Sequence, residues 1–295
     1  MSHALVFVAP PDNKPAYREA LMVLGRLALA RKLPPPTVLS GWESAEWTYA
    51  HVDAELREEA AAAVGDFPVD WALVPMEGRR KKLLVADMDS TIINVECLDE
   101  LADFAGIKAE IAAITERAMA GELEFEPALI ARVGKLKGLA LEALQRTYDE
   151  RVRFNPGATS LVQTMAAHGA RCVLVSGGFN YFTTRVAAAA GFHADRANIL
   201  LDDGKALTGE VRLPIIGRAA KLDVLRSEAA ALGVSAQNAL AIGDGANDLD
   251  MIKAAGLGIA YRAKPIVAGQ AHARIEHTCL ETALFFQGYS RSDFA

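Results

Sequence analysis

The sequence contains few cysteines and little excess charge of either sign. Its three cysteines, Cys97, Cys172 and Cys279, are odd in number and far apart, and none belongs to a Cys-x-x-Cys pair. A disulfide framework or a cysteine metal site is therefore not predicted. The formal net charge of -6 argues against a nucleic-acid partner. The one basic run, residues 79–82, is short and is interpreted as a solvated linker.

Long apolar runs and a targeting segment are also missing. No segment reaches the ~18 consecutive apolar residues of a membrane span. The first ten residues have no basic stretch ahead of their short apolar run, unlike a secretory signal. We therefore expect a cytoplasmic protein with no membrane partner. A Gly-x-x-x-x-Gly-Lys-Ser/Thr loop is absent as well, which excludes a P-loop nucleotidase.

The apolar residues that are present predict two domains. Hydrophobic residues make up 52% of the 295 residues, and a chain of this length commonly has about two domains. In residues 1–78 the patterns predict a β-α-β-β-α-β order, which is typical of a ferredoxin-like α+β unit. The predicted strands are residues 5–8, 37–39, 47–52 and 71–74, and the predicted helices are residues 16–32 and 54–64.

Residues 79–295 show short apolar strands that alternate with helices, which is typical of a doubly wound parallel α/β sheet. Predicted strands are residues 83–86, 172–175, 240–242 and 257–260. The stretch between the first two is too long for a simple crossover and contains helical patterns at residues 98–104, 108–119, 126–135 and 141–152. We predict a helical cap at residues 94–153, inserted into a core of residues 82–93 and 154–295. A hairpin is predicted from residues 198–201 and 207–211 around Asp202-Asp203-Gly204.

Two of the predicted strands are followed by clustered carboxylates. Asp87-Met88-Asp89-Ser90-Thr91 follows residues 83–86, and Gly243-Asp244-Gly245-Ala246-Asn247-Asp248 follows residues 240–242. Ligands of parallel sheets bind at the carboxyl ends of the strands. Mg²⁺ commonly takes one or two protein carboxylates, and Asp87 and Asp244 supply that number. The spacing from Asp244 does not fit an EF-hand, because its sixth residue is Leu249 and not glycine.

Two weaker features accompany the carboxylates. Ser176-Gly177-Gly178 follows residues 172–175 just ahead of a helical pattern, where backbone N–H groups and a hydroxyl can bind phosphate. Lys221 lies early in the amphipathic stretch 217–226. Alone, a lysine on a helix is more often solvated, so only its place between the other features favours a role.

Together these features resemble the four motifs of the haloacid dehalogenase superfamily of phosphatases. Its Asp-x-Asp-x-Thr motif is met by Asp87, Asp89 and Thr91, its strand-end Ser or Thr by Ser176 and its lysine by Lys221. Its Gly-Asp-Gly-x-Asn-Asp motif is met by residues 243–248. The resemblance implies a doubly wound core with an inserted cap, and Mg²⁺-dependent hydrolysis of phosphomonoesters.

Further segments are similar to the bacterial phosphoserine phosphatase family. They are Glu96 after the first motif, Met119 to Glu126 followed by Arg132 and Val133, and Val175 to Phe179. The likeness covers roughly residues 82–282. The N-terminal domain is similar only in outline to ACT-like domains, since its turn at residues 9–13 lacks their Gly-rich ligand turn. We expect packing or homodimer formation there, not amino-acid sensing.

The resemblance implies a role for each site residue. Asp87 would be the nucleophile and Asp89 the general acid and base. Mg²⁺ would be held by Asp87, the backbone carbonyl of Asp89, and Asp244. The phosphoryl group would be bound by Ser176, Gly177 and Lys221, the substrate ammonium by Glu96 and its carboxylate by Arg132. Asn247 would fix a substrate or loop position, Asp248 would support the metal ligands, and Phe125 and Met119 would close the cap.

Other functions remain open at this level. The same motifs fit a phosphotransferase that passes phosphate from phosphoserine to another hydroxyl, or a phosphatase of other small phosphomonoesters. A non-catalytic regulator is disfavoured because both Asp87 and Asp89 are kept. A transport-ATPase-like domain is disfavoured because the residue two after the nucleophile resembles Thr there, and because membrane spans are lacking.

Overall fold

A computed structural model describes residues 1–53, 55–119 and 123–295, without the side chains of residues 116, 118 and 119. The N-terminal part contains β1 (His3–Val8), α1 (Lys14–Ala30), β2 (Thr37–Ser40), β3 (Ser44–Tyr49), α2 (Glu55–Val64) and β4 (Asp70–Pro75). Its sheet is antiparallel with strand order β2-β3-β1-β4. The predicted β-α-β-β-α-β order is confirmed. α1 begins two residues earlier than predicted because Asn13 caps it, accepting a hydrogen bond from Ala16 N at 3.1 Å.

The rest of the chain is built on a six-stranded parallel sheet with the strand order β12-β11-β10-β5-β6-β7. In chain order the elements are β5 (Leu83–Ala86), α3 (Cys97–Phe104), α4 (Lys108–Met119), α5 (Phe125–Lys135), α6 (Glu142–Arg151), α7 (Ala158–Ala167), β6 (Arg171–Phe179), α8 (Asn180–Ala190), β7 (Ala194–Asn198), β8 (Leu200–Asp202), β9 (Leu207–Val211), α9 (Arg218–Ala231), β10 (Ala239–Gly243), α10 (Leu249–Ala254), β11 (Leu257–Tyr261), α11 (Pro265–Ala268), β12 (Ala273–Ile275) and α12 (Thr282–Phe286). The predicted parallel α/β sheet with inserted helices is confirmed.

The strand predictions were best at the centre of this sheet. β5 is fully buried and has the predicted bounds, since central parallel strands are continuous apolar runs. β7 is an edge strand with the sequence Ala-Asp-Arg-Ala-Asn. It was not predicted, because this sequence has no apolar pattern typical of a strand. The hairpin begins at Leu200 and not at Asn198, because Asn198 ends β7. β6 also runs on through Ser176, with an irregular register between Val175 and Phe179.

The four helices α3–α6 are inserted between β5 and α7. The two chain segments that lead to and from them pair with each other, through an antiparallel bridge between Ile93 and Phe154. Asn94 N also donates to Arg153 O at 3.0 Å. The inserted helices are therefore attached to the core near the carboxyl end of β5.

The N-terminal sheet is attached to the parallel sheet by buried polar contacts. Asp70, at the start of β4, accepts hydrogen bonds from Glu276 N at 2.8 Å and Thr278 N at 2.9 Å. Arg79 pairs with Glu46 and donates to Phe286 O at 2.8 Å. Within the described residues, no helix is long and apolar enough to cross a bilayer.

Candidate active site

The site is centred on Asp87, the first residue after β5. Asp87 N donates to Ile242 O at 3.0 Å, which holds the start of the loop against β10. The Asp87 carboxylate is buried, and its Oδ1 accepts a hydrogen bond from Met88 N at 2.8 Å. Because β5 and β10 are parallel neighbours, the loops after both strands meet at this edge of the sheet.

The loop after Asp87 has an unusual turn at Ser90. Ser90 adopts a left-handed conformation with φ 56°, which is uncommon for a residue other than glycine. The turn is held by Ser90 N, which donates to Val95 O at 3.2 Å, and by Ser90 Oγ, which donates to Glu96 Oε1 at 2.6 Å. The Asn155 amide donates to Thr91 O at 2.8 Å and to Ile93 O at 3.0 Å. The loop is thereby fixed from both sides.

The turn directs Asp89 towards the end of β6. Its Oδ1 accepts a hydrogen bond from Cys97 N at 3.1 Å, and its Oδ2 accepts one from Ser176 Oγ at 3.2 Å. Burial, followed by the charge of Glu96, raises the pKa of Asp89 to about 7. A carboxyl group with this pKa can carry a proton near neutral pH and can also give it up.

Three carboxylates converge beside this loop. Asp87, Asp244 and Asp248 each offer an oxygen, and these three oxygens lie within 4.8 Å of one another. Thr91 Oγ1 donates to Asp244 Oδ1 at 3.1 Å, and Gly245 N donates to Asp248 Oδ2 at 3.0 Å. Oxygen-only donors suit a hard divalent cation. The cluster therefore fits a metal site.

A single buried ammonium partly compensates these carboxylates. Lys221, on α9, is fully buried, and its Nζ lies 2.7 Å from both Asp87 Oδ1 and Asp248 Oδ1. Burial lowers the pKa of Lys221, but Asp248 and Asp87 outweigh that effect and raise it overall, so the ammonium stays charged.

Three carboxylates still outnumber one ammonium. Burial raises the pKa of Asp87, the charge of Asp248 adds to this, and Lys221 opposes it. Burial and the charge of Asp248 raise the pKa of Asp244 to about 6. The uncompensated negative charge is what a divalent cation would neutralise.

The end of β6 brings small residues against Asp89. Gly178 N donates to Ser176 Oγ at 2.8 Å. A Cβ at Gly178 would lie 2.7 Å from Asp89 Oδ2, so a side chain there would displace the carboxylate. Gly177 and Gly217 both face the ring of Phe125, at 3.0 and 3.1 Å from the position of a Cβ. Phe125, the first residue of α5, therefore lies over the edge of the site.

Arg132 lies two helical turns after Phe125, on the same side of α5. Its guanidinium is half-buried, and Nε donates to Ala128 O at 3.3 Å. Burial lowers the pKa of Arg132 overall, although the charges of Asp99 and Glu96 oppose this shift. Among the described residues, none forms an ion pair with Arg132.

The structure brings together Asp87, Asp89, Ser176, Lys221 and Asp244, and the roles that the resemblance implies for them stay predictions. Asp248 was expected only to support the ligands, but its carboxylate belongs to the cluster and pairs with Lys221. Glu96 is exposed and half-buried Asn247 packs against Gly245; their roles stay predictions. So do the metal role of the Asp89 carbonyl and the cap role of Met119, whose side chain lies outside the described part. Asn155 and Asn198 also hold segments of the site through hydrogen bonds to the backbone, and no pattern in the sequence predicts this.

Comparison with known proteins places the chain in a family. Residues 84–253 match the haloacid dehalogenase-like hydrolases, and the chain belongs to this family. Within the family it is closely related to phosphoserine phosphatases.

Three relatives illustrate this relationship. The phosphoserine phosphatase of Albidiferax ferrireducens is 45% identical over 69% of this chain and 88% of its own length. A solved structure of a probable phosphoserine phosphatase from Vibrio cholerae is 30% identical, covers 99% of this chain and 88% of its own, and has a TM-score of 0.78. A phosphoserine phosphatase solved as a phospho-aspartyl intermediate analogue is 38% identical over 70% of this chain and 98% of its own, with a TM-score of 0.65.

Proposed function

We propose that this protein hydrolyses O-phospho-L-serine to L-serine and phosphate through an aspartyl phosphate on Asp87. The observation that carries the proposal is the position of Asp87, which is buried in contact with the Lys221 ammonium and beside the carboxylates of Asp244 and Asp248. The relationship to phosphoserine phosphatases supports the substrate. The structure solved as a phospho-aspartyl intermediate analogue supports the covalent step.

The residues divide the reaction between them. Asp87 attacks phosphorus and becomes the aspartyl phosphate. Asp89 gives its proton to the serine oxygen as that oxygen leaves, and then takes a proton from the attacking water. Ser176 Oγ, Gly177 N–H and the Lys221 ammonium hold the oxygens of the phosphoryl group. Lys221 Nζ already lies 2.7 Å from Asp87 Oδ1. It can therefore contact the nucleophile and the negatively charged phosphoryl group at the same time.

Mg²⁺ is the proposed cofactor. Asp87 and Asp244 would hold it together with the backbone carbonyl of Asp89, and Asp248 is close enough to join them. When bound, Mg²⁺ would neutralise carboxylate and phosphate charge and polarise the phosphoryl group.

Glu96 and Arg132 are proposed to recognise the amino-acid part of the substrate. Phosphoserine carries an ammonium and a carboxylate besides its phosphate, so two groups of opposite charge are needed. Glu96 Oε1 accepts a hydrogen bond from Ser90 Oγ at 2.6 Å, which leaves Oε2 to bind the substrate ammonium. Arg132 has a half-buried guanidinium without an ion-pair partner among the described residues, and a guanidinium can bind a carboxylate through two parallel hydrogen bonds. Asn247 is proposed to fix the substrate or the loop.

Arg132→Ala tests this assignment. We expect kcat/KM for phosphoserine to fall at least ~30-fold, because the substrate carboxylate loses its half-buried partner. Turnover of p-nitrophenyl phosphate should change by less than ~2-fold, since that substrate has no carboxylate. Steady-state phosphate release with both substrates measures the difference. Arg132→Lys should recover only part of the loss, because lysine lacks the planar fork.

Arg146→Ala provides the control, because Arg146 is an exposed arginine of the inserted helices. Within the described residues its one ion pair is with Glu150 at 3.1 Å, and its guanidinium lies over the ring of Phe104. This variant should leave kcat/KM for phosphoserine and for p-nitrophenyl phosphate unchanged. If Arg132→Ala depresses both substrates equally, Arg132 supports the phosphate site and the residue-level support for phosphoserine is lost.

Two alternative functions are a phosphotransferase and a phosphatase of another small phosphomonoester. Both would use the same residues for phosphoryl transfer as the proposed phosphoserine phosphatase. A phosphate-release screen over phosphoserine, phosphothreonine and small sugar phosphates separates the substrates. Adding an amino-alcohol acceptor such as homoserine separates the reactions, since a transferase would release less phosphate. Undiminished release in the presence of the acceptor supports the hydrolase.

The domains are proposed as residues 1–78 and 79–295, with core segments 82–93 and 154–295 and the cap at 94–153.

We also propose that the protein forms a homodimer through residues 1–78. In their sheet β4 packs beside β12, whereas β2 is the outer strand and its Val38 is 56% exposed. An outer strand can pair with a second copy. Light scattering should give about twice the chain mass of 31.5 kDa; a monomer mass at every concentration contradicts the proposal.

A further inference from the structure

Asn198 is a buried carboxamide that the mechanism above does not use. It is the last residue of β7, and only 2% of its surface is exposed. Its Nδ2 donates to Gly177 O at 2.8 Å and to Ile216 O at 3.3 Å, and its Oδ1 accepts from Ile216 N at 2.7 Å. One side chain therefore joins two segments that are far apart in the sequence.

The first of these segments carries Ser176 and Gly177. The peptide unit between Gly177 and Gly178 is planar, so holding its two ends fixes its orientation. Asn198 holds its carbonyl, and Ser176 Oγ accepts a hydrogen bond from its N–H at 2.8 Å. Ser176 Oγ in turn donates to Asp89 Oδ2 at 3.2 Å. Two consecutive glycines have wide backbone freedom, so this peptide needs such an external support.

The second segment leads into α9. Gly217 follows Ile216, and its carbonyl accepts a hydrogen bond from Lys221 N at 3.2 Å. Asn198 binds both the N–H and the carbonyl of Ile216, which fixes the chain just before the turn that carries Lys221. The ring of Phe125 packs against Gly177 and Gly217, the residues on the two segments that Asn198 connects.

We propose that Asn198 is a positioning residue that sets the spacing between the Ser176–Gly177 backbone and the start of the Lys221 helix. The inference rests on the proposed function, in which these two segments hold the phosphoryl oxygens. Groups that stabilise a transition state act through their placement, and a misplacement of about 1 Å can cost ~10²-fold in rate. Asn198 itself touches neither Asp87 nor Asp89 through any hydrogen bond seen among the described residues.

Asn198→Ala and Asn198→Asp test the proposal. Alanine removes every bond of the carboxamide, whereas aspartate keeps the shape and the acceptor for Ile216 N but loses both donors and places an oxygen against Gly177 O. We expect both variants to lower kcat by about 10- to 100-fold while KM changes less than ~3-fold. The loss should be equal for phosphoserine and p-nitrophenyl phosphate, because the phosphoryl site is common to both. Inhibition by orthovanadate should weaken in parallel.

Gln287→Ala is the matched control. Gln287 is also a buried carboxamide that joins two backbone segments, since it accepts from Lys81 N at 3.0 Å and donates to Ala283 O at 3.0 Å. It contacts no residue of the proposed site, so its loss should lower the melting temperature and leave kcat unchanged. Assays are run below the melting temperature of every variant, and Asn198→Asp is decisive if Asn198→Ala does not fold.

Three results would overturn the inference. One is kcat within ~3-fold of wild type for the Asn198 variants, with a melting temperature lowered as in Gln287→Ala, which makes the role purely structural. Another is full activity of Asn198→Asp, which shows that the bond to Gly177 O is dispensable. The third is a loss confined to KM for phosphoserine. If the wild-type protein turns over p-nitrophenyl phosphate but not phosphoserine, the proposed substrate is wrong while the test of Asn198 still stands.

Discussion

Replacing Asp87 by asparagine should reduce phosphate release by at least ~10⁴-fold, because losing a nucleophile normally costs several orders of magnitude. An amide cannot form the acyl phosphate that the carboxylate forms. The fold should survive the change. Asparagine has nearly the same shape, and Lys221 keeps its ion pair with Asp248 at 2.7 Å. One buried negative charge is also removed from a crowded cluster, in which burial and then the charge of Asp248 raise the pKa of Asp87.

Two measurements separate the chemical role of Asp87 from a structural one. Phosphate release is compared between Asp87→Asn and Asp103→Asn. Asp103 is an exposed aspartate of the inserted helices, and within the described residues its one ion pair is with Arg151. A quench with acid followed by mass spectrometry should detect a phosphorylated Asp87 peptide in the wild type alone. Residual activity above ~1% in Asp87→Asn, with contamination excluded, contradicts the covalent role.

The sheet could be predicted where burial shapes the sequence on both faces of a strand. β5, β10 and β11 lie in the middle of the sheet and are apolar throughout, so they are recognisable in one sequence. β7 and β12 lie at the two edges and are partly exposed. Their positions are decided by pairing with a neighbour, and a single sequence does not record that partner.

The centre of the site could be predicted because its residues are grouped in short segments at strand ends. Asp87 and Asp89 follow β5 directly, and Asp244 follows β10, so the parallel topology alone brings them together. Lys221 lies on a helix, and its burial between two carboxylates depends on how α9 packs. Without the family resemblance, a solvated lysine would have been the better prediction.

The supporting residues could not be predicted. Asn155 and Asn198 act through bonds to backbone atoms that are distant in the sequence, such as Thr91 O and Gly177 O. A hydrogen bond to a backbone carbonyl does not depend on the type of the partner residue, because every residue has this carbonyl. The sequence therefore does not show which residue is the partner. Asp248 was assigned a supporting role because metal ligands need groups that orient them. Only the three-dimensional arrangement shows its oxygen in the cluster.

Removing divalent cations should abolish activity. Treatment with EDTA is expected to leave less than ~0.1% of the wild-type rate, because several kcal/mol of charge stabilisation would be lost from the transition state. Mg²⁺ should restore the rate. Ca²⁺ should inhibit, since it accepts more ligands at longer distances and readily binds both oxygens of one carboxylate. A nucleophile bound in this way would have no oxygen left for the attack.

Binding can be measured without any turnover. The cation would bind the folded cluster of Asp87, Asp244 and Asp248 and not the unfolded chain, so Mg²⁺ should raise the melting temperature in a concentration-dependent way. Asp244→Asn removes one carboxylate and should raise the Mg²⁺ concentration needed for half of this shift by at least ~10-fold. It should raise the concentration for half-maximal activity by a similar factor.

Asp250→Asn is the control for this experiment. Asp250 lies two residues after Asp248, but its carboxylate pairs with Arg218 at the surface and is not part of the cluster. The variant should keep the wild-type response to Mg²⁺ in both measurements, whereas Asp244→Asn should respond only at the higher Mg²⁺ concentrations given above. Full activity in metal-free buffer contradicts the metal requirement. An equal response of Asp244→Asn and Asp250→Asn would mean that the cation binds elsewhere. The three carboxylates would then keep their excess charge, with Lys221 as the one cationic partner that the described part of the chain provides.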